Sequence, residues 1–449
     1  MRLAILGGGG FRTPLVYEAV AKSVTGLRVD EVILYDLDSQ RLDSMRRVMA
    51  EMAEQLGPDA TKVTATTDLT EAVTGVDFVF SAIRVGGAES RTIDERVALD
   101  LGVLGQETIG PGGLAYALRT IPVMQEIART IAQASPDAWV INFTNPAGIV
   151  TEGMRQVLGP RVIGICDTPI GLVRRVGRTL GVDLDRLDYD YLGLNHMGWL
   201  RAARVDGVDR LPELLASDEM LGEIEEARLI GFDYVRQAGA LPNEYLYYYL
   251  HTDSAIGRIL EAGRTRGEFL VEQQGKFYRD VADECCTSPL KTWQDALHMR
   301  EATYMAESRD DERREADVAG GGYQEVALRL MTAIAGDTSE RMILNVGNSR
   351  DGGRIVDELP DDLVLEVGCV VDGNGVHPQE VAPPTLDQLG RMARLRAAER
   401  CILEAAITRD KGKAWEGFAT HPLVDSPVLG HKLLDGYIAR QPLVAALFD

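Results

Sequence analysis

From residue 3 onward six short runs, LAIL, VILYD, VTATT, FVFSAI, WVINFT and VIGIC, alternate with segments of helical character. That rhythm argues for a parallel sheet with helices on both faces, because parallel neighbours need a crossover connection and the crossover is usually a helix. Pro14 marks the start of the first helix, and Ser39, Asp68 and Ser90 stand near later starts. Near residue 180 the rhythm changes. YDYLGLNHMGWLRAARVDGVDRL predicts two strands around the turn Asp206-Gly207, with long helical stretches after it to about residue 335. RMILNVGN and LVLEVGCVVDG add strands, and residues 385–441 read as mostly helical. A chain of 449 residues exceeds what one core usually serves. The expectation is an α/β protein in two domains: a doubly wound, Rossmann-like sheet over residues 1–180, and a mixed α+β, largely helical domain over residues 181–449. The charge-dense stretch at residues 307–322 reads as a mobile loop or an exposed helix end.

The first strand runs directly into four glycines, LAILGGGGFRTPL. Gly7, Gly8, Gly9 and Gly10 before a proline-initiated helix let backbone N–H groups approach a pyrophosphate at a helix N-terminus. Asp36 closes the second run, where a carboxylate accepts both hydroxyls of an adenosine ribose and repels a 2′-phosphate, which favours NAD. Counting G-x-G-x-x-G from Gly7 reaches Arg12 where the third glycine belongs, so an ordinary strand-to-helix turn stays open beside dinucleotide binding.

Composition narrows the partners. A formal net charge of −22 without any basic tract opposes binding to a phosphate backbone except at a local pocket, so nucleic acid is not an expected partner. The start, MRLAILGGGG, lacks the apolar core of a signal peptide, and no segment offers about 18 uninterrupted apolar residues, so neither export nor membrane insertion is expected. Five cysteines without paired spacing fit reduced thiols in a cytoplasmic setting, with Cys285 and Cys286 read as structural.

In parallel sheets ligands gather at the carboxyl ends of the strands. There the fifth and sixth runs read INFTNPAG and GICDTP, so Asn142, Thr144, Asn145, Cys166 and Asp167 emerge from apolar strands. About thirty residues on, GLNHMGW puts His196 on the first strand of the expected hairpin. One cysteine and one histidine are too few for a closed zinc site but can hold an open metal completed by substrate and water. Taken alone, Cys166 reads more readily as a small buried apolar residue.

The motifs IRVGG (83–87), GQETIGPGG (105–113), INFTNPAG (141–148), GICDTP (164–169), GLNHMGW (193–199) and LPNEYLYYYL (241–250) follow one another in an order that resembles the NAD- and metal-dependent family 4 glycoside hydrolases. That group stands apart from the two-carboxylate glycosidases. The resemblance spans nearly the whole chain and implies a nucleotide domain like that of the lactate and malate dehydrogenases. It makes Cys166 and His196 ligands of a divalent metal, usually Mn²⁺, and Tyr245 the base. Asp167 takes the position that acts as general acid in some members; as a residue alone it also reads as a helix N-cap. Arg91 and Asn145 become sugar contacts, Arg84 a further substrate contact, and Arg264, the first arginine of GRTRGEF, the phosphate ligand.

The implied chemistry removes hydride from C3 of the sugar to NAD⁺, takes the C2 proton, eliminates the aglycone from C1, adds water and returns the hydride. A phenol of pKa near 10 acts as base only when a cation stabilises the phenolate, which the metal supplies. The Cys-Asp pair resembles the branch that acts on 6-phosphoglucosides, here a phosphorylated disaccharide or aryl glucoside. Asp167 resembles the α-enzymes, whereas INFTNPAGIVTE and ATHPLVDS more closely resemble the β-enzymes. The longer stretches favour a 6-phospho-β-glucosidase, with the α-enzyme as the alternative. A plain NAD-dependent dehydrogenase is a further alternative, against which the thiol and imidazole argue, and a non-catalytic sugar-phosphate sensor is another. A homodimer or homotetramer is the oligomeric state that the resemblance implies.

Overall fold

Leu3 and Ile5 of strand β1 (Arg2–Leu6) point into one apolar core, Ala4 and Leu6 into a second. This alternation is why the first strand is apolar from Leu3 to Leu6: both faces of its sheet are covered. The computed structural model describes the chain except residues 24–26, 58–59, 309–313, 315–321 and 337, so most of the charge-dense stretch at 307–322 lies outside the described residues. Strands β1, β2 (Glu31–Tyr35), β3 (Lys62–Thr66), β4 (Phe78–Ser81), β5 (Trp139–Asn142) and β6 (Val162–Gly164) pair in parallel in the order β3-β2-β1-β4-β5-β6. Helices α1 (Thr13–Ala21) and α2 (Ser39–Leu56) bury apolar residues in the first core; α3 (Leu69–Val73), α5 (Pro111–Ala134) and α6 (Ala147–Leu158) bury theirs in the second, as does α4 (Gly87–Asp100) except for Leu99, which joins the first. Helix α7 (Thr168–Leu180) returns to the first. The Rossmann-like expectation is met, and the order reverses between β1 and β4, where such sheets open a crevice.

The helix starts differ in detail. Pro14 does lie in the first turn of α1. Asp38, not Ser39, caps α2 by accepting the N–H groups of Gln40 and Arg41, and Asp68 caps α3. Ser90 lies inside α4 and donates its hydroxyl to Gln441 Oε1 at 3.0 Å.

The sheet does not end at β6. Further strands β7 (Leu187–Leu194), β8 (Met197–Val205), β9 (Val208–Asp209), β10 (Leu241–Pro242), β11 (Glu340–Gly347), β12 (Val364–Asp372) and β13 (Gly375–Pro378) extend it, with β11 antiparallel to β6 and then β12, β7, β8 and β10 in turn. The regions expected on either side of residue 180 therefore share one sheet. The closing helices also return to the first region: Ile402 and Leu403 join the core of α5, and the Tyr437 hydroxyl donates to Asp94 O at 3.0 Å. One rung crosses the junction, pairing Gly164 of β6 with Asn345, Asn345 with Glu366, and Glu366 with Gly193 of β7.

The expected hairpin is shifted. Its long arms, β7 and β8, turn at Asn195-His196, while Asp206-Gly207 only joins β8 to the two-residue β9. His196 is thus in a tight turn at φ 64°, a left-handed conformation rare for a side chain with a Cβ. The flanking glycines permit it, because a Cβ on Gly193 would stand 2.2 Å from the Gly198 Cα. All five cysteines are free; Cys285 is exposed and Cys286 half-buried, so neither is a packed core thiol. No described helix is long and apolar enough to cross a membrane.

Candidate active site

A cleft of about 2170 Å³ follows the carboxyl ends of the parallel strands and is lined by Gly7, Asp36, Cys166, His196, Tyr245 and Arg300 among others. The glycine turn divides its labour. Gly7, at φ +83°, has no room for a Cβ, which would meet Ala82 O at 2.8 Å; it and Gly10 line the cleft. Gly8 and Gly9 do not. A Cβ on Gly8 would strike Leu34, and the Gly9 N–H donates to Asp36 Oδ2 at 3.1 Å. Two of the four expected nucleotide contacts thus serve packing and the orientation of Asp36. Burial raises Asp36, while the N–H groups of Asp38 and Gly9 favour its charged form. Arg12, where a third glycine belongs, lies 3.3 Å from Glu301 Oε1.

Cys166 lies two residues past β6 with its sulfur 3.4 Å from Thr168 Oγ1. Burial first, then the negative charges of Glu366 and Asp167, hold its thiol well above the usual range, so it ionises only against a cation. His196 is also buried, and burial pushes the imidazole down to about 4 against the pull of Glu107. Its Nδ1 is 3.2 Å from Thr108 Oγ1; a proton there, accepted by Thr108, leaves Nε2 as a lone-pair donor. Asp167 sits at the N-cap position of α7, but its side chain makes no capping hydrogen bond, so the capping alternative is not realised.

The Tyr245 ring stacks on His196, with centroids 3.7 Å apart and planes 8° off parallel. Among the neighbouring tyrosines only Tyr248 also lines this cleft; Tyr247 bonds to Glu307 O, and Tyr249 stacks on His421. His421 is itself buried and accepts the Leu423 N–H. Sequence reasoning missed Tyr304, whose hydroxyl lies 2.9 Å from both Tyr245 Oη and Glu244 Oε1. No local signal marks it, since it follows the helix Pro289–Ala302 far along the chain.

Arg84 and Arg91 converge on Glu107 Oε2 at 2.7 and 2.8 Å. Burial opposes ionisation of Glu107, but the two guanidinium groups outweigh it and hold the carboxyl well below its usual range. Asn145 lines the cleft, whereas Asn142 and Thr144 are buried in the turn, where they bond to Thr151 and Ser81. Arg264 stands at the exposed rim, paired with Glu272 at 2.5 Å. Two residues on, Arg266 is better placed: it donates to Thr303 Oγ1 and Arg300 O. Among the described residues neither Arg266 nor Arg300 is ion-paired with a carboxylate. Burial and then Arg91 lower Arg266; burial and then Arg12 push Arg300 down to about 9, with Glu301 opposing. Two half-buried guanidinium groups that face the cleft, neither ion-paired among the described residues, suit an anion. The second arginine of GRTRGEF was within reach of the sequence; Arg300, in LHMREA, carries no such sign.

Behind the thiol and imidazole, Glu366 is buried and accepts from Asn345 Nδ2 at 3.0 Å, Asn195 Nδ2 at 3.2 Å and the Tyr191 hydroxyl at 3.2 Å. Burial pushes its carboxyl from 4.5 up to about 7, against these three donors. A carboxyl raised in the fold contributes stability that is complete below the unfolded value and is lost as pH rises through about 7. In protein stripped of divalent ions, Glu366→Gln is expected to be more stable than the wild type at pH 8 by on the order of 3 kcal/mol, with the gap closing near pH 5. Thermal unfolding at both pH values checks this; a gap that is the same at each would contradict the titration.

The fold and the cleft define a class: an enzyme working on an anionic substrate at the carboxyl edge of a Rossmann-type sheet. Comparison with known proteins is more particular. Residues 2–182 match the model "Family 4 glycosyl hydrolase" and residues 191–424 the model "Family 4 glycosyl hydrolase C-terminal domain". The "Probable 6-phospho-beta-glucosidase" of Bacillus subtilis (strain 168) is 31% identical over 446 residues, covering 97% of this chain and 95% of that one. The 6-phospho-beta glucosidase of Thermotoga maritima, solved with NAD and glucose-6-phosphate, superposes with a TM-score of 0.81 at 26% identity over 98% of this chain and 99% of that one. A 6-phospho-alpha-glucosidase from gut microorganisms, solved with NAD and Mn²⁺, gives 0.80 at 27% over 98% of each chain. The chain belongs to the family 4 glycosyl hydrolases.

Proposed function

We propose that this enzyme hydrolyses 6-phospho-β-glucosides, releasing the aglycone through oxidation at C3, proton loss at C2, elimination, water addition and re-reduction. The observation that carries the reading is the anion pocket of Arg266 and Arg300, which opens on the same cleft as the glycine turn and the thiol. The residues fit the cofactors. Gly7 and Gly10 with the carboxylate of Asp36 suit a dinucleotide without a 2′-phosphate. Among the described residues no cluster of three histidine, cysteine or acidic side chains could hold a metal, so Cys166 and His196 suit an ion whose remaining ligands are sugar oxygens and water. When bound, NAD⁺ supplies the hydride acceptor for C3, and the divalent ion, Mn²⁺ in our reading, supplies the Lewis acid for the C2 and C3 oxygens.

The chain's own groups do the rest. Arg266 and Arg300 hold the 6-phosphate in the role expected of Arg264, whose charge Glu272 already answers at the rim. Arg91 and Asn145 face the sugar ring, with Arg84 and Glu107 keeping Arg91 in place. Tyr245 takes the C2 proton, and Asp167 gives one to the departing oxygen. A homodimer or homotetramer in a reducing cytoplasm completes the proposal, the setting supported by five free thiols.

Nitrophenyl 6-phospho-β- and 6-phospho-α-glucosides, with NAD⁺, Mn²⁺ and a reductant, test the reading. Release is expected from the β-anomer, only with both cofactors, and not from the unphosphorylated glucoside. Stoichiometric NADH without aglycone release would identify a dehydrogenase instead. The α-linkage is the second reading, favoured by the aspartate after Cys166, which resembles the α-enzymes, and preferential release from the α-anomer would establish it. Arg266→Ala is expected to lower kcat/KM for the phosphorylated substrate about 10- to 100-fold, mainly through KM. Arg264→Ala should stay within about threefold of wild type, as for an exposed pair.

A further inference from the structure

Cys166 and His196 come from opposite sides of the junction in the sheet, the thiol from the end of β6 and the imidazole from the β7–β8 turn. What holds them in register is the rung Gly164, Asn345, Glu366, Gly193. Its outer members are glycines, and a Cβ on Gly164 would stand 2.7 Å from the Asn345 Cβ. Glu366 sends two arms from this rung. The short arm accepts the side-chain amide of Asn195, the residue beside His196 in its left-handed turn. The long arm accepts the Tyr191 hydroxyl, which Asn243 Nδ2 meets at 3.4 Å; the same Nδ2 donates to Thr168 Oγ1 at 2.7 Å, and Thr168 Oγ1 lies 3.4 Å from the Cys166 sulfur. Among the described residues no lysine or arginine is paired with Glu366.

We propose that Glu366 is a positioning residue for the ion: it sets the Asn195–His196 turn against the strand end that carries Cys166 and places a buried negative charge behind the pair. This rests on the reading that Cys166 and His196 hold a divalent ion. A purely structural knot would not need the charge, because glutamine keeps the size, accepts both asparagine amides on its oxygen and donates to Tyr191 with its nitrogen. A carboxylate adds what an amide lacks, electrostatic support for a neighbouring dication, and such outer partners hold metal ligands in the binding geometry.

The test uses the full chain without sugar. Mn²⁺ is titrated into wild type, Glu366→Gln, Asn195→Ala and Cys166→Ser, the free ion being read by electron paramagnetic resonance, and NAD⁺ affinity is measured in parallel without metal. Glu366→Gln is expected to weaken Mn²⁺ binding about 10- to 100-fold while NAD⁺ affinity stays within about twofold of wild type. Asn195→Ala, which cuts only the short arm, should weaken Mn²⁺ binding about 3- to 10-fold, and it carries the test alone if the glutamine variant does not fold. Wild-type Mn²⁺ affinity in both variants, with binding lost in Cys166→Ser, would overturn the positioning role and leave the metal reading standing. Wild-type affinity in Cys166→Ser would overturn the metal reading, and this proposal with it.

Discussion

Replacing Tyr245 by phenylalanine is expected to lower kcat by about 10²- to 10⁴-fold, the usual worth of a positioned general base, with little change in KM. The phenol begins far from its task. Burial, and then the carboxylate of Glu244, raise Tyr245 well above the ordinary phenol range, with the hydroxyl of Tyr304 working the other way. A phenolate therefore needs a cation close by, and the face-to-face contact with His196 puts the ring beside the proposed ligand. Tyr304 can turn its single proton toward Tyr245 or toward Glu244, both 2.9 Å away, so it stabilises the phenolate when that forms and returns to the carboxylate when it is quenched. Phenylalanine leaves Tyr304 bonded to Glu244, so the fold should survive with an unchanged circular dichroism spectrum. The decisive readout is isotopic. Wild-type turnover in D₂O should place deuterium at C2 of the released sugar phosphate; continued incorporation by Tyr245→Phe at the wild-type rate would mean that another group is the base.

The parallel half was legible because its signals are local. Burial on both faces makes the inner strands apolar runs, and the glycine turn and Asp36 lie next to those runs. What the sequence hid was pairing between distant segments. Nothing in RMILNVGN says that Asn345 will sit beside Gly164, so the continuous sheet was invisible, and with it the joint between the expected halves. The hairpin was misplaced because Asp206-Gly207 carries the stronger turn chemistry, while the turn at His196 is made possible by glycines two positions outside it. The site follows the same division. Cys166, Asp167, His196, Tyr245, Arg84, Arg91 and Asn145 share the cleft as the motif order implied. Arg300, Tyr304 and Glu366 reach it, or stand behind it, from segments whose local sequence resembles ordinary helix or strand. Which arginine of GRTRGEF turns inward is hidden too, because Arg266 inside and Arg264 at the rim follow from where the helix starts: Thr265 caps it, with Glu268 completing the capping box.

If Cys166 is a metal ligand as proposed, Cys166→Ser should abolish aglycone release, a loss of at least about 10³-fold, because a Lewis-acid contribution is worth several kcal/mol of charge stabilisation. The serine fits the space. It is smaller than cysteine, can keep the contact with Thr168 Oγ1, and leaves the rung behind it intact, so thermal stability should fall by no more than about 1–2 kcal/mol. Yet its hydroxyl does not ionise at neutral pH beside Asp167 and Glu366, and as a neutral oxygen it is a poor substitute for sulfur bearing a negative charge. The loss must be specific to the reacting end of the cleft. NAD⁺ binding, proposed to draw on Gly7, Gly10 and Asp36 at the other end, is expected to remain within about twofold of wild type. Substantial Mn²⁺-dependent turnover by a folded Cys166→Ser enzyme would remove the thiol from the ligand set. If NAD⁺ binding failed together with turnover, the two ends of the cleft would be coupled in a way the hydrogen-bond pattern around Cys166 does not provide.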